Sequence, residues 1–138
     1  MLGTKWFLKL KLLSILFSMY GVGTDIVTIS RIKQWVKDSI MLEKVFTSRE
    51  REYCLSKTHP HKYLAAAFAI KEAFMKAVGT GWSSSMQWKD VEMISESGRV
   101  SIRLHNKAEE IYGRKKVFVS ISCAGDLAVA LVIILDGV

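Results

Sequence analysis

The chain is 138 residues long, half of them apolar, with a formal charge of +7 and a single proline. That is one domain with enough chain for a real core. Cys54 and Cys123 form neither a disulfide framework nor a metal-ligating spacing, so a disulfide-stapled scaffold is excluded and a reducing, cytoplasmic setting is expected. Lys5, Lys9 and Lys11 lie in the first 19 residues, and from Met19 onward 17 basic residues face 13 acidic ones. This small excess suits an anionic small molecule or an acidic protein partner. It is thin for a nucleic-acid binder, which carries a dense basic stripe.

Residues 1–19, MLGTKWFLKLKLLSILFSM, differ in character from the rest of the chain: three lysines precede an apolar run from Leu12 to Phe17 that only Ser14 interrupts. The uncharged part is short for a signal peptide, lacks a small-x-small cleavage site and is too short to span a membrane. An N-terminal extension is expected here, packed loosely as a helix or disordered, with Met19 an alternative start and the folded domain over 20–138. Tyr20 to Ile29 reads as a strand with Asp25 near its end. Its Gly21-x-Gly23 lacks the third glycine of a dinucleotide loop. Ile29 to Val36 reads as a short helix, with Ile29, Ile32 and Val36 inward and Arg31, Lys33 and Lys37 toward solvent.

Thr47-Ser48-Arg49-Glu50 has the pattern of a capping box, opening a helix to about Ser56, with Phe46 placed as a hydrophobic staple. His59-Pro60 then opens a long helix to Val78, about 28 Å at 1.5 Å per residue. His59 and His61, at its start, are expected to be solvated. Tyr63, Ala67, Ile70, Phe74 and Ala77 form its buried stripe. Glu72 and Lys76, four residues apart, share a separate face with Ala65 and Ala69, and that thin row leaves room for a ligand. Gly79 and Gly81 stop the helix and free main-chain N–H groups for close approach. A plain surface Glu–Lys pair with a glycine cap is the competing reading.

A polar loop comes next, in which Trp82 and Trp88 cover the edge of the core. Asp90–Ile94 and Arg99–Leu104 read as a hairpin, Asn106–Tyr112 as a helix closed by Gly113, and Val117–Ser122 with Leu127–Ile134 as a second, β-branched hairpin. One strand, then helices, then mostly antiparallel strands make an α+β domain.

Three separated stretches, GVGTDIVTISRI, FAIKEAFMKAVGTG and VSISCAGDLAVALV, taken in that order, resemble holo-acyl-carrier-protein synthase, the small bacterial type of 4′-phosphopantetheinyl transferase. The likeness runs from about Tyr20 to Ile134, with FTSRE and DVEM also in register. It implies the α+β fold of that family, a long helix packed on a mainly antiparallel sheet, assembled as a homotrimer with its active sites between subunits. It implies transfer of the 4′-phosphopantetheine arm of coenzyme A to a serine of apo acyl carrier protein, in fatty-acid biosynthesis. Adenosine 3′,5′-bisphosphate leaves, and Mg²⁺ is required.

Carried over by position, Asp25 and Glu72 match the metal ligands, and Glu72 is also the candidate to receive the serine proton. Lys76 would supply a point charge to a coenzyme phosphate. Lys71, Gly79, Thr80, Gly81 and Ser122 fall at coenzyme-binding positions. Arg31, Lys33 and Lys37 would face the acidic carrier protein. The chain departs from the family twice, with Cys123 in place of the histidine after Ser-Ile-Ser and Ala67 in place of the arginine before Phe-Ala-x-Lys-Glu. Neither replacement offers an imidazole or a guanidinium fork. They leave open a relative that binds coenzyme A or carrier protein without turnover. A nucleic-acid module would rest on net charge and scattered tryptophans alone, and no nucleic-acid or membrane partner is expected.

Overall fold

The computed structural model describes residues 2–16, 18–79 and 85–137. Thr80, Gly81 and Trp82, with the roles the sequence suggests for them, lie outside the described residues. Helix α1 (Leu2–Leu16) exposes Trp6, Phe7, Leu8 and Leu10 on all sides, with Lys5 and Lys9 on one face and Lys11 on another. It therefore has no stripe to bury. No described helix is long and apolar enough to cross a membrane.

Strand β1 (Met19–Thr28) runs directly into α2 (Ile29–Trp35). The start of α2 is satisfied from far along the chain: Asp126 accepts from Ser30 N at 2.9 Å and from Ser30 Oγ at 2.6 Å. Helix α3 (Ser39–Val45) was not expected from the sequence. Asp38 caps it, accepting from the N–H groups of Ile40 and Met41. Helix α4 (Ser48–Leu55) opens on the capping box read from the sequence, with Glu50 N donating to Thr47 Oγ1 at 3.2 Å and Thr47 N to Glu50 Oε2 at 2.9 Å. Phe46 lies fully buried in the core beside it.

Helix α5 (Pro60–Val78) has the predicted bounds, with proline in its first turn and Gly79 left-handed (φ 76°) at its end. Strands β2 (Val91–Glu96) and β3 (Arg99–Leu104) form the first hairpin, turning through Ser97 and Gly98, both at positive φ. Helix α6 (Asn106–Tyr112) leads to β4 (Lys116–Ala124) and β5 (Leu127–Leu135), the second hairpin. Strand β1 adds antiparallel to β5, giving the order β1-β5-β4, while β2 and β3 pair separately. This is the expected α+β architecture.

Helix α5 lies across β1 and β5. The strand residues beneath it are small or branched: Gly21, Gly23 and Val27 from β1, and Ala128, Ala130, Val132 and Ile134 from β5. A Cβ placed on Gly23 would stand 2.6 Å from Ala77 N and 3.0 Å from Lys76 Cβ. Only glycine lets strand and helix approach this closely. Gly21-x-Gly23 is thus a packing device rather than a nucleotide loop. The burial of α5 departs from the sequence expectation. Ala65 and Ala69 are fully buried, so their row is filled by packing instead of forming an open channel, and the helix is buried on nearly every side.

The opposite face of the three-stranded sheet is also apolar but uncovered. Val22, Ile26 and Phe118 are 53%, 64% and 53% exposed, and Leu127 joins them.

Candidate active site

Alternation along β1 places Asp25 on the same face as Gly23 and Val27, toward α5. Lys76 stands on the last turn of α5, where the helix meets that strand. Its Nζ reaches Asp25 Oδ1 at 2.8 Å; the Asp25 side chain is 16% exposed and that of Lys76 56%. The hydrogen bond and charge of Asp25, with a smaller contribution from Glu72, hold the Lys76 ammonium above its ordinary pKa of 10.5. Glu72 lies one turn earlier on α5, half-buried, and its Oε1 accepts from the indole Nε1 of Trp88 at 3.0 Å. The fold therefore gathers Asp25, Glu72 and Lys76 at one edge of the α5–β1 contact.

The donor set at that edge is two carboxylates with an ammonium between strand and helix. Groups of three or more potential ligating side chains do not occur among the described residues. A pair of carboxylates fits Mg²⁺, which keeps several waters and takes one or two carboxylates plus phosphate oxygens. It does not fit a structural Zn²⁺ site, which wants four nitrogen or sulfur ligands.

Other residues expected at the site stand elsewhere. Lys71 points into the core, where it and Glu50 are both 0% exposed and paired at 2.9 Å. Its Nζ also donates to the carbonyls of Trp88, at 3.0 Å, and Val91. Burial pulls the Lys71 pKa down and the Glu50 carboxylate works against that shift. With no exposed surface, Lys71 cannot touch a coenzyme; it acts as a tie between α5, α4 and β2. Glu50 completes the tie by accepting from Met93 N at 2.8 Å.

Ser122 lies on the outer face of β4, in register with Val129 and away from Asp25. Within one chain it is not brought to the acidic pair. Its neighbour Cys123 faces inward and half-buried. Lys62, Tyr63, Ala66, Ile121, Ser122 and Cys123 line a cleft of about 280 Å³. Ala67 is fully buried. His61 is half-buried rather than solvated, and its Nδ1 has no hydrogen-bond partner among the described residues. Gly79 is exposed just past α5, and Arg31, Lys33 and Lys37 are exposed on and after α2. The Arg31 guanidinium lies 5.8 Å from the centroid of Trp35.

Two contributors escaped sequence reasoning. Gly23 sets the distance between Asp25 and α5, and its signal was the glycine pair two residues before the aspartate. Trp88 donates to Glu72, and nothing in the local sequence separates that role from covering the core.

The model of the 4′-phosphopantetheinyl transferase superfamily matches residues 21–132. A holo-acyl-carrier-protein synthase of Geotalea daltonii is 40% identical over 122 residues, covering 84% of this chain and 98% of that protein. Among solved structures, the holo-acyl-carrier-protein synthase of Neisseria meningitidis superposes with a TM-score of 0.75 at 31% identity, covering 84% of this chain and 98% of that one. The Helicobacter pylori synthase, solved in complex with coenzyme A, gives 0.73 at 28% identity, covering 82% and 98% respectively.

Proposed function

The chain belongs to the 4′-phosphopantetheinyl transferase superfamily, and from that premise we propose that it moves the 4′-phosphopantetheine arm of coenzyme A onto a serine of apo acyl carrier protein. The observation that carries this reading is the meeting of Asp25, Glu72 and Lys76 at the edge of the α5–β1 contact. In the reaction the serine oxygen forms a bond to the phosphorus bearing the pantetheine arm. The pyrophosphate bond breaks, and adenosine 3′,5′-bisphosphate leaves with the electron pair.

Asp25 and Glu72 would hold Mg²⁺ through hard carboxylate oxygens. When bound, it would offset the negative charge collecting on the leaving phosphate. Lys76, with its side chain 56% exposed, can exchange its aspartate for a coenzyme phosphate. Glu72 takes the serine proton, directly or through water. Gly79 donates its own N–H to the Met75 carbonyl at 3.1 Å, so in this reading its part is to end α5 without a side chain, and main-chain N–H groups for the nucleotide would come from Thr80 and Gly81. Exposed Arg31, Lys33 and Lys37 attract the acidic carrier protein and orient it. The loss of cationic contacts at Ala67 and Cys123 weakens coenzyme binding without touching the acidic pair.

The protein works as a homotrimer in this reading. Support comes from the uncovered apolar sheet face of Val22, Ile26 and Phe118, which a second copy would bury. Ser122 lies on that same face, so a neighbouring subunit can deliver it to the coenzyme. The folded catalytic domain spans 20–138, with α1 an appendage. Free thiols at Cys54 and Cys123 suit a cytoplasmic setting.

The test is chromatographic detection of adenosine 3′,5′-bisphosphate when the protein meets coenzyme A, Mg²⁺ and apo carrier protein. Release that stops on chelation supports the reading. Binding of coenzyme A with no release would favour the binding-only alternative.

A further inference from the structure

Trp88 holds one oxygen of Glu72. Its indole N–H reaches Glu72 Oε1 at 3.0 Å, while the ring lies tilted against Phe68 with centroids 6.5 Å apart. Trp88 opens a short 3-10 turn (Trp88–Asp90), and its backbone is anchored in the core. Lys71 Nζ donates to the Trp88 carbonyl and to that of Val91, and pairs with fully buried Glu50. Asp90 closes the same short turn by accepting from Gln87 N at 3.0 Å and from Asn106 Nδ2 at 2.9 Å. A continuous set of contacts therefore runs from a buried ion pair, through the Trp88 main chain and indole, to the carboxylate next to Lys71 in sequence.

Resting on the transferase reading, we propose that Trp88 is a positioning residue whose indole N–H fixes the orientation of the Glu72 carboxylate beside Lys76, with the Lys71–Glu50 pair holding Trp88 in place. The physical need is plain. A glutamate on a helix keeps three side-chain torsions, and a metal-ligating carboxylate that must also take a proton gains from having them restrained before substrate arrives. Hydrogen-bond partners of ligating groups matter on that scale, with their loss costing about 10–100-fold in metal affinity or activity. This also explains why a charged side chain is buried at position 71. Its ammonium ties down the two carbonyls that bracket the turn carrying the indole.

The experiment compares the natural protein with Trp88→Phe, which keeps an aromatic ring against Phe68 and removes the donor. A second variant carries benzothienylalanine at position 88, keeping the bicyclic shape without the N–H. Mg²⁺ binding is read by calorimetry in the absence of substrates, kcat and KM by phosphopantetheine transfer, and folding by urea unfolding. Both variants should lose about 10–100-fold in Mg²⁺ affinity and in kcat. KM for the carrier protein should stay unchanged, and the benzothienyl variant should keep the natural unfolding midpoint. Variants that bind Mg²⁺ and turn over like the natural protein would overturn the proposal and leave the transferase reading intact. A natural protein that transfers nothing would overturn the transferase reading, and the calorimetry alone would then decide for or against Trp88. Should the natural protein transfer the arm yet bind no Mg²⁺ without substrates, the transferase reading stands, and an unchanged kcat in both variants would overturn the role of Trp88.

Discussion

Replacing Gly23 with alanine tests whether the site is built by the close approach of strand and helix. The added methyl would stand 2.6 Å from Ala77 N and 3.0 Å from Lys76 Cβ, and it would also meet the Ala73 carbonyl, whereas ordinary contact begins near 3.4 Å. The neighbours are helix backbone, so they cannot swing aside, and β1 must retreat by about 1 Å. Overpacking of this kind costs about 1–3 kcal/mol. Asp25 is two residues along the same face, so the retreat also carries it away from Lys76. A misplacement of about 1 Å can lower a rate by about 100-fold. Gly3→Ala serves as the control, because nothing lies within 4 Å of a Cβ there. The two variants are compared by urea unfolding and by initial rate of phosphopantetheine transfer. Gly23→Ala that unfolds and turns over like the control would refute the reasoning that this contact shapes the site.

Lys71→Met should destabilise by about 3–5 kcal/mol, because it strands a buried Glu50 carboxylate, and adding Glu50→Gln, which removes the charge but keeps an acceptor for Met93 N, should recover part of that loss in a urea-unfolding double-mutant cycle. The pH dependence of the Lys76–Asp25 pair has a definite sign. The Lys76 pKa is raised in the folded state above 10.5, so its contribution is fully present below pH 10.5 and is lost as pH rises through the elevated value. Melting curves of the natural protein and Lys76→Met should therefore converge in that alkaline window and differ only slightly below it, as the lysine is half-exposed. Burial pushes the Cys54 thiol up to about 12, leaving about one molecule in ten thousand as thiolate at pH 8. Alkylation of the native protein at that pH, read by peptide mass mapping, should label Cys123 and spare Cys54. Arg31→Glu should raise KM for the carrier protein far more than KM for coenzyme A, and equal effects would remove its docking role.

The helix boundaries of α5 and α4 were legible because their signals are local: proline opens one, glycine closes it, and Thr47 with Glu50 opens the other. Helix α3 escaped because it is only seven residues long and exposed Ile40 breaks its apolar stripe. The burial of Ala65 and Ala69 could not be read either. Alanines on a helix are equally consistent with an open groove and with a surface pressed against the rest of the core, and what covers them is distant in the chain. Lys71 misled for a related reason. The resemblance put it at a coenzyme-binding position, while its true partner, Glu50, reads locally as a cap and lies 21 residues earlier. Asp25 and Glu72 were singled out as a pair by the ordered motifs, and the approach of Asp25 to Lys76, one turn beyond Glu72, depends on β1 adding to the edge of β5. Ser122 shows the remaining gap, since a side chain on the outer sheet face can join the site only through another copy of the chain.

The most direct test of the central claim is an intact-mass spectrum of apo acyl carrier protein after incubation with coenzyme A, Mg²⁺ and either the natural protein or Glu72→Ala. The carrier should gain the mass of one phosphopantetheine arm with the natural protein and none with Glu72→Ala. An unchanged carrier mass with the natural protein, or an equal gain with both, would contradict it.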